Sequence, residues 1–333
     1  MSASPARASR PGQGAGSELA ERLRRGDLRA APAVLNLVEG STQAQRAQTA
    51  ALLHALSPEA LGGEAPGHVV GVTGPPGAGK SSLLSHLVAG WRRCERSVAV
   101  LAVDPSSRRS GGALLGDRAR IEHDPRDSGV FIRSTASGER VGGLAPATRA
   151  GAAALSCAFD VVVIETVGVG QSETEVVDVA DSVAVVVQPG SGDVLQFLKA
   201  GIMEIPDLLV VTKADQGLVA QRALRDLRAA VRSLGAGQIP VLAVSSVSPP
   251  SGFEELIGAL DRHRAGLDLP GRRRAARRRH ALADFLSEHG AAGLRAVGGR
   301  RAAERWLDGL EPGLDVPALT AGLERRMLEP RAP

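Results

Sequence analysis

The sequence predicts an α/β protein, a mostly parallel, doubly wound sheet with helices before it and a helical extension after it. Three observations lead there. Seven short apolar runs rich in β-branched residues recur at 69–73, 98–103, 130–133, 161–164, 183–187, 208–211 and 241–244. Most are continuous rather than alternating, as strands are when helices cover both faces of a sheet. Segments with helical spacing lie between them, at 83–93, 218–234 and 253–262, and strands alternating with helices favour a parallel sheet. The first strand runs into G-P-P-G-A-G-K-S, a glycine-rich strand-to-helix turn.

Composition sets limits on this fold. At 333 residues with 43% hydrophobic content, core material is ample, but aromatics are only 2% and tyrosine is absent, so the core must be Leu, Val and Ala. Cys94 and Cys157 form no metal-spacing motif. The polar opening stretch has no apolar core of a secretory signal, and no apolar run reaches the ~18 residues of a membrane span. A cytoplasmic protein without membrane contact is expected. The formal charge is only +4, yet just three of the 40 basic residues are lysines: Lys80, Lys199 and Lys213. A lysine kept against such an arginine bias suggests a need for its compact charge or flexible stem.

Taken in order, residues 1–16 read as a disordered tail. Residues 17–66 form an N-terminal helical segment: Leu19 and Leu23 are four apart, and Thr42 with Gln45 makes a capping box before Leu52, Leu53 and Leu56. Residues 61–67 are a Gly/Pro-containing linker into the first strand, and the nucleotide-type domain spans 67–265. Residues 266–333 are a helical extension that opens with the basic run G-R-R-R-A-A-R-R-R-H at 271–280. Without neighbouring aromatics for base stacking, that run is expected to be a solvated face or a partner contact rather than a nucleic-acid patch.

The turn after the first strand fits G-x-x-x-x-G-K-[ST] from Gly74 to Ser81. Its residues Gly74, Pro75, Pro76, Gly77, Ala78 and Gly79 turn backbone N–H groups inward to cradle phosphate oxygens, and Ser82 continues into the new helix. Lys80 places a point charge on the β/γ-phosphates, and the Ser81 hydroxyl suits Mg²⁺. The chain therefore binds a nucleoside triphosphate. The strand at 161–164 ends in E-T-V-G-V-G-Q-S-E, which offers Glu165 as an acidic group for Mg²⁺ and the Gly168 N–H as a γ-phosphate sensor. Asp104 closes another strand, where a carboxylate can approach the metal or orient water, ahead of a mobile-looking loop at 106–112.

The strand at 208–211 leads into T-K-A-D. Asp215 can accept from guanine N1–H and the 2-amino group, Lys213 can lie over the base, and Thr212 stands where such a motif usually has Asn. Ser245, Ser246 and Val247, after the last strand, are placed for N–H contacts to the guanine carbonyl. Where Ras-like GTPases set a water-orienting Gln directly after the sensor glycine, this chain has Val169, and Gln171 follows two residues on. Slow intrinsic turnover, aided by a loop or a partner, is expected.

These motifs resemble the MeaB/MMAA (ArgK-type) branch of P-loop GTPases, G-protein chaperones of adenosylcobalamin-dependent acyl-CoA mutases. The resemblance rests on residues 26–39, the phosphate loop, V-D-P-S-S-R-R-S-G-G-A-L-L-G-D, the stretch from Phe159 to Glu173, and Q-P-G-S-G-D-V-L-Q-F-L-K-A-G-I-M-E-I-P-D at 188–207. It covers roughly residues 18 to 265 and is loose beyond. It implies that Asp104 lies in a first switch, Glu165 begins a second, and Gln188–Lys199 forms a third in which Asp193 and Lys199 work. It further implies GTP and GDP with Mg²⁺, a homodimer held through the C-terminal helices, and a mutase of the methylmalonyl-CoA type as client. A kinase of a transport protein and a metal-delivery GTPase of the nickel-chaperone kind are the alternatives. The first would need ATP, and the second a Cys/His cluster near the nucleotide loop or the N-terminus.

Overall fold

A computed structural model describes residues 14–104, 121–136, 144–166, 172–190, 206–233 and 235–329. Seven strands form one parallel sheet: β1 (His68–Thr73), β2 (Val98–Asp104), β3 (Val130–Ala136), β4 (Val161–Glu165), β5 (Ser182–Val187), β6 (Leu208–Val211) and β7 (Val241–Ala243), in spatial order 3-2-4-1-5-6-7. Every pairing is parallel, so the expected mostly parallel sheet is parallel throughout.

Side chains along the strands divide by the two-residue strand period. Ala99, Leu101 and Val103 enter one core, while Val98 and Val100 enter the other. That second core is covered by α5 (Lys80–Arg93) and α9 (Phe253–Ala265), with Trp91 and Leu87 fully buried. On the opposite face lie α6 (Pro146–Leu155), α7 (Ser172–Val179) and α8 (Leu218–Ser233). Gly71 of β1 admits α7 closely, since a Cβ there would sit 2.6 Å from Val176. Sequence periodicity does not single out α6 or α7. Alanines dominate α6, and alanine carries little of the apolar contrast that marks a helix face.

The N-terminal stretch breaks into α1 (Ala15–Arg24), a 3₁₀ turn (Leu28–Ala30), α2 (Ala31–Val38), α3 (Gln43–Ala55) and α4 (Pro58–Leu61). The Thr42–Gln45 capping box is formed in both directions, with Gln45 N–H donating to Thr42 Oγ1 at 3.2 Å and Thr42 N–H donating to Gln45 Oε1 at 3.2 Å. Leu19, Leu23, Val34, Leu35 and Leu52 join the same core as the sheet. The C-terminal α10 (Leu269–Ala296, interrupted at Gly290), α11 (Arg300–Asp308) and α12 (Val316–Leu328) enclose a small core of their own around Phe285, Leu307 and Leu323.

The basic run departs from expectation. Arg273 forks onto Asp181 at 2.8 and 2.6 Å and donates to the carbonyls of Ala65 and Gly67, both at 2.6 Å. Arg277 forks onto Glu64, Arg272 reaches Asp207, Arg278 reaches Asp308 and Arg279 reaches Asp178. Most of these acids sit on or just before the sheet and its helices, so the run ties α10 to the body of the fold. It is neither a purely solvated face nor a surface left open to a partner.

Candidate active site

Parallel pairing brings the carboxyl ends of the strands to one edge, where ligands of such sheets bind. Register shows it directly: Val72 pairs with Glu165, Ala102 pairs with Glu165, and Val187 pairs with Val211. The ends of β1, β2, β4, β5, β6 and β7 thereby present the phosphate loop, Asp104, Glu165, Gln188, Thr212 and Ser245 along one rim.

The loop from Gly74 to Gly79 needs its glycines. Gly74 has φ 143° and a Cβ there would lie 2.2 Å from the Val186 carbonyl oxygen, and Gly79 has φ 88° at the entry to α5. With α5 starting at Lys80, the free N–H groups of its first turn and the positive end of its dipole face the loop. Lys80 is only 8% exposed, and its Nζ donates to the carbonyls of Gly74 at 2.7 Å and Pro75 at 3.2 Å. Those bonds hold the ammonium over the loop, where a phosphate can take their place. Ser81 Oγ donates to Glu165 Oε1 at 3.5 Å, which brings a hydroxyl and a buried carboxylate together at the mouth of the loop. Beside them Thr166 Oγ1 donates to Thr73 Oγ1 at 2.8 Å and ties the end of β4 to β1. That buried threonine pair escapes sequence reading, because only the register makes the two residues neighbours.

The base-binding loop is built the same way. Thr212 is 5% exposed, and its hydroxyl donates to the Ala78 carbonyl at 2.6 Å, with the Val187 carbonyl at 3.3 Å. The residue in the usual Asn position thus bridges the base loop to the phosphate loop. Lys213 takes φ 51° and its ammonium donates to Gln188 Oε1 at 2.7 Å and to the Gly77 carbonyl at 3.2 Å, which extends its stem along the exposed rim. Gln188 is a further member of the site whose part becomes visible only through this contact. Asp215 is exposed, and Ser245 Oγ donates to its Oδ1 at 2.7 Å.

The serines differ in part from expectation. The Ser245 N–H donates to the Ser251 carbonyl at 3.0 Å, and Val247 N–H donates to Ser245 Oγ at 3.2 Å. Ser245 therefore serves through its hydroxyl, by aiming Asp215, and Ser246 is the exposed position beside it. Pro75, Pro76, Gly77 and Ser82 lie on the solvent side of the loop and Ala78 is buried beneath it. Asp104 ends β2 two positions beyond the residue level with Glu165. Gly168, Val169, Gln171, Asp193 and Lys199 lie outside the described residues, as does the loop at 106–112.

The comparisons with known proteins agree with this geometry. The profile of the family described as Methylmalonyl Co-A mutase-associated GTPase MeaB matches residues 31–290. A protein of Mycobacterium tuberculosis named as a probable GTPase is 40% identical over 269 residues, 78% of this chain and 78% of its own. The mitochondrial methylmalonic aciduria type A homolog of Caenorhabditis elegans is 38% identical over 214 residues, 61% of this chain and 53% of its own. A crystal structure described as LAO/AO transport system kinase superposes with a TM-score of 0.65 at 26% identity, covering 95% of this chain and 99% of its own. The matched span carries the phosphate loop, the Glu165 strand end and the base loop, and on that ground the chain belongs to the MeaB family of P-loop GTPases and is itself a GTPase.

Proposed function

We propose that this GTPase is a chaperone of an adenosylcobalamin-dependent acyl-CoA mutase of the methylmalonyl-CoA type, gating cofactor loading and protecting the mutase. The observation that carries the reading is the match of a mutase-associated GTPase family across residues 31–290. In this reading the chain's own groups do the chemistry by position and charge. Lys80 leaves the Gly74 and Pro75 carbonyls for the β/γ-phosphates, and the loop N–H groups hold the remaining oxygens. Ser81 and Glu165, with Asp104 at the neighbouring strand end, are hard oxygen donors of the kind Mg²⁺ prefers. When bound there, Mg²⁺ would neutralise phosphate charge. Asp215, aimed by Ser245, reads the guanine edge. Gly168 as sensor, Gln171 near the water, and Asp193 and Lys199 in a third switch complete the assignment. The protein acts in the cytoplasm as a homodimer joined through its C-terminal helices.

The alternatives find less support. A metal-delivery role calls for a Cys/His cluster by the nucleotide loop. Among the described residues the one grouping with metal-ligand spacing is Glu288, His289 and Glu324, on α10 and α12, while Cys94 and Cys157 stand apart. A kinase role calls for ATP, which the Asp215 carboxylate does not suit.

Light scattering after size exclusion tests the reading. The chain with a non-hydrolysable GTP analogue should co-elute with the mutase apoenzyme, and the ratio of bound to free should change with GDP. Separate elution in both nucleotide states would remove the proposal.

A further inference from the structure

A cleft of about 760 Å³ opens between α3, α6, α10 and α12, within the range of roughly 300–1,000 Å³ typical of small-molecule sites. None of its lining residues belongs to the phosphate loop, the base loop or the Glu165 strand end. Its walls are mostly apolar, with Ala50, Leu53, Ala150, Ala276, Val316 and Ala321 among them. Two buried atoms in the wall make no hydrogen bond among the described residues, Arg277 Nε and His280 Nε2. Three residues apart on α10, they share one helical face.

The chemistry of the pair is restricted. The terminal nitrogens of Arg277 are held by Glu64 and by the Pro312 carbonyl, so its guanidinium is fixed with Nε–H left as a donor. Burial, with Arg149 and Arg279 nearby, pushes the His280 pKa down to about 3, so its ring is neutral at physiological pH and can present one N–H. Buried donors without acceptors are costly, and these two can be met by one pair of oxygens a helical turn apart. The nearby carboxylates do not compete: Glu64, Asp178 and Asp284 are each paired with an arginine. Arg46, exposed at the margin, adds positive charge to the entrance.

We propose that this cleft binds a small, mostly apolar carboxylate, its oxygens accepting from Arg277 Nε and His280 Nε2 and its tail lying against α3, α6 and α12. The site is independent of the nucleotide and adds a second ligand to the protein.

The test is calorimetric titration of the full chain with sodium decanoate, with decanol as a control that keeps the tail and lacks the carboxylate. Binding of fluorescent GDP serves as the check on folding. Saturable one-to-one decanoate binding is expected, about tenfold tighter than decanol. His280→Leu should weaken decanoate about tenfold and Ala276→Phe should abolish its binding, both with GDP binding kept. If Ala276→Phe loses GDP binding, Ala321→Phe provides the same block from α12. No saturable decanoate binding, equal binding of decanol, or decanoate binding that survives a folded blocking variant would overturn the proposal.

Discussion

Residue by residue, the phosphate loop was fully legible, because its chemistry is local in sequence and its glycines answer to backbone geometry alone. What could not be read was how neighbouring strand ends complete it. Thr212 illustrates this: as a departure from the usual Asn it suggests a lost contact, yet its hydroxyl is buried and joins two loops 134 residues apart. Thr212→Val keeps the shape and leaves the Ala78 carbonyl without its donor, which should cost roughly 1–3 kcal/mol. A urea midpoint for the nucleotide-free protein measures it, with Thr212→Ser as the rescue. A valine variant as stable as the parent would show that the bridge contributes nothing. Asp215→Asn exchanges an acceptor for a donor, so GTP affinity should fall and that for xanthosine triphosphate should rise, read by competition against fluorescent GDP. Ser245→Ala should weaken GTP selectivity in the same direction by a smaller factor, since it frees Asp215 without removing it.

At the level of elements, all seven strands followed from apolar runs, with boundaries displaced by up to three residues where Thr135 and Ala136 continue β3 past its apolar start. The capping box of α3 was equally legible. The basic run on α10 was not, because an arginine-rich stretch looks alike in solvent and in ion pairs until its acids are located in space. Two of those pairs should behave very differently. Arg273 is 13% exposed against an Asp181 side chain at 1%, and it also holds two carbonyls ahead of β1. Arg273→Ala strands a buried carboxylate and should cost about 3–5 kcal/mol. Arg278 meets Asp308, whose side chain is 67% exposed, and Arg278→Ala should cost about 1 kcal/mol or less. Equal losses in thermal or urea unfolding would refute the view that α10 is clamped chiefly through Arg273.

Across the whole molecule, the edge opposite the nucleotide holds a buried polar chain. The Ser182 hydroxyl lies 2.8 Å from both His68 Nε2 and His263 Nδ1, and His263 Nε2 lies 3.2 Å from Asp207. Burial pushes the His68 pKa down to about 4, against about 6.5 when unfolded. Between those values the unfolded chain binds the extra proton and the folded chain does not, so stability falls as pH drops from about 6.5 to about 4. The loss from His68 is about 3 kcal/mol, and below pH 4 it contributes no further slope. His280, held near 3, adds a similar slope over a slightly wider window. His68→Gln should therefore flatten unfolding free energy against pH in that range by about one proton, and an unchanged slope would contradict the assignment.

The central claim concerns a GTPase whose turnover answers to a mutase. Val169 stands where a water-orienting glutamine would be expected, so turnover by the chain alone should be slow. The direct measurement is phosphate release from GTP by the purified chain, with and without an adenosylcobalamin-dependent acyl-CoA mutase from the same source, and with ATP in place of GTP. The account predicts a slow basal rate, clear acceleration by the mutase, and no turnover of ATP. A GTP rate indifferent to the mutase, or equal use of ATP, would contradict it.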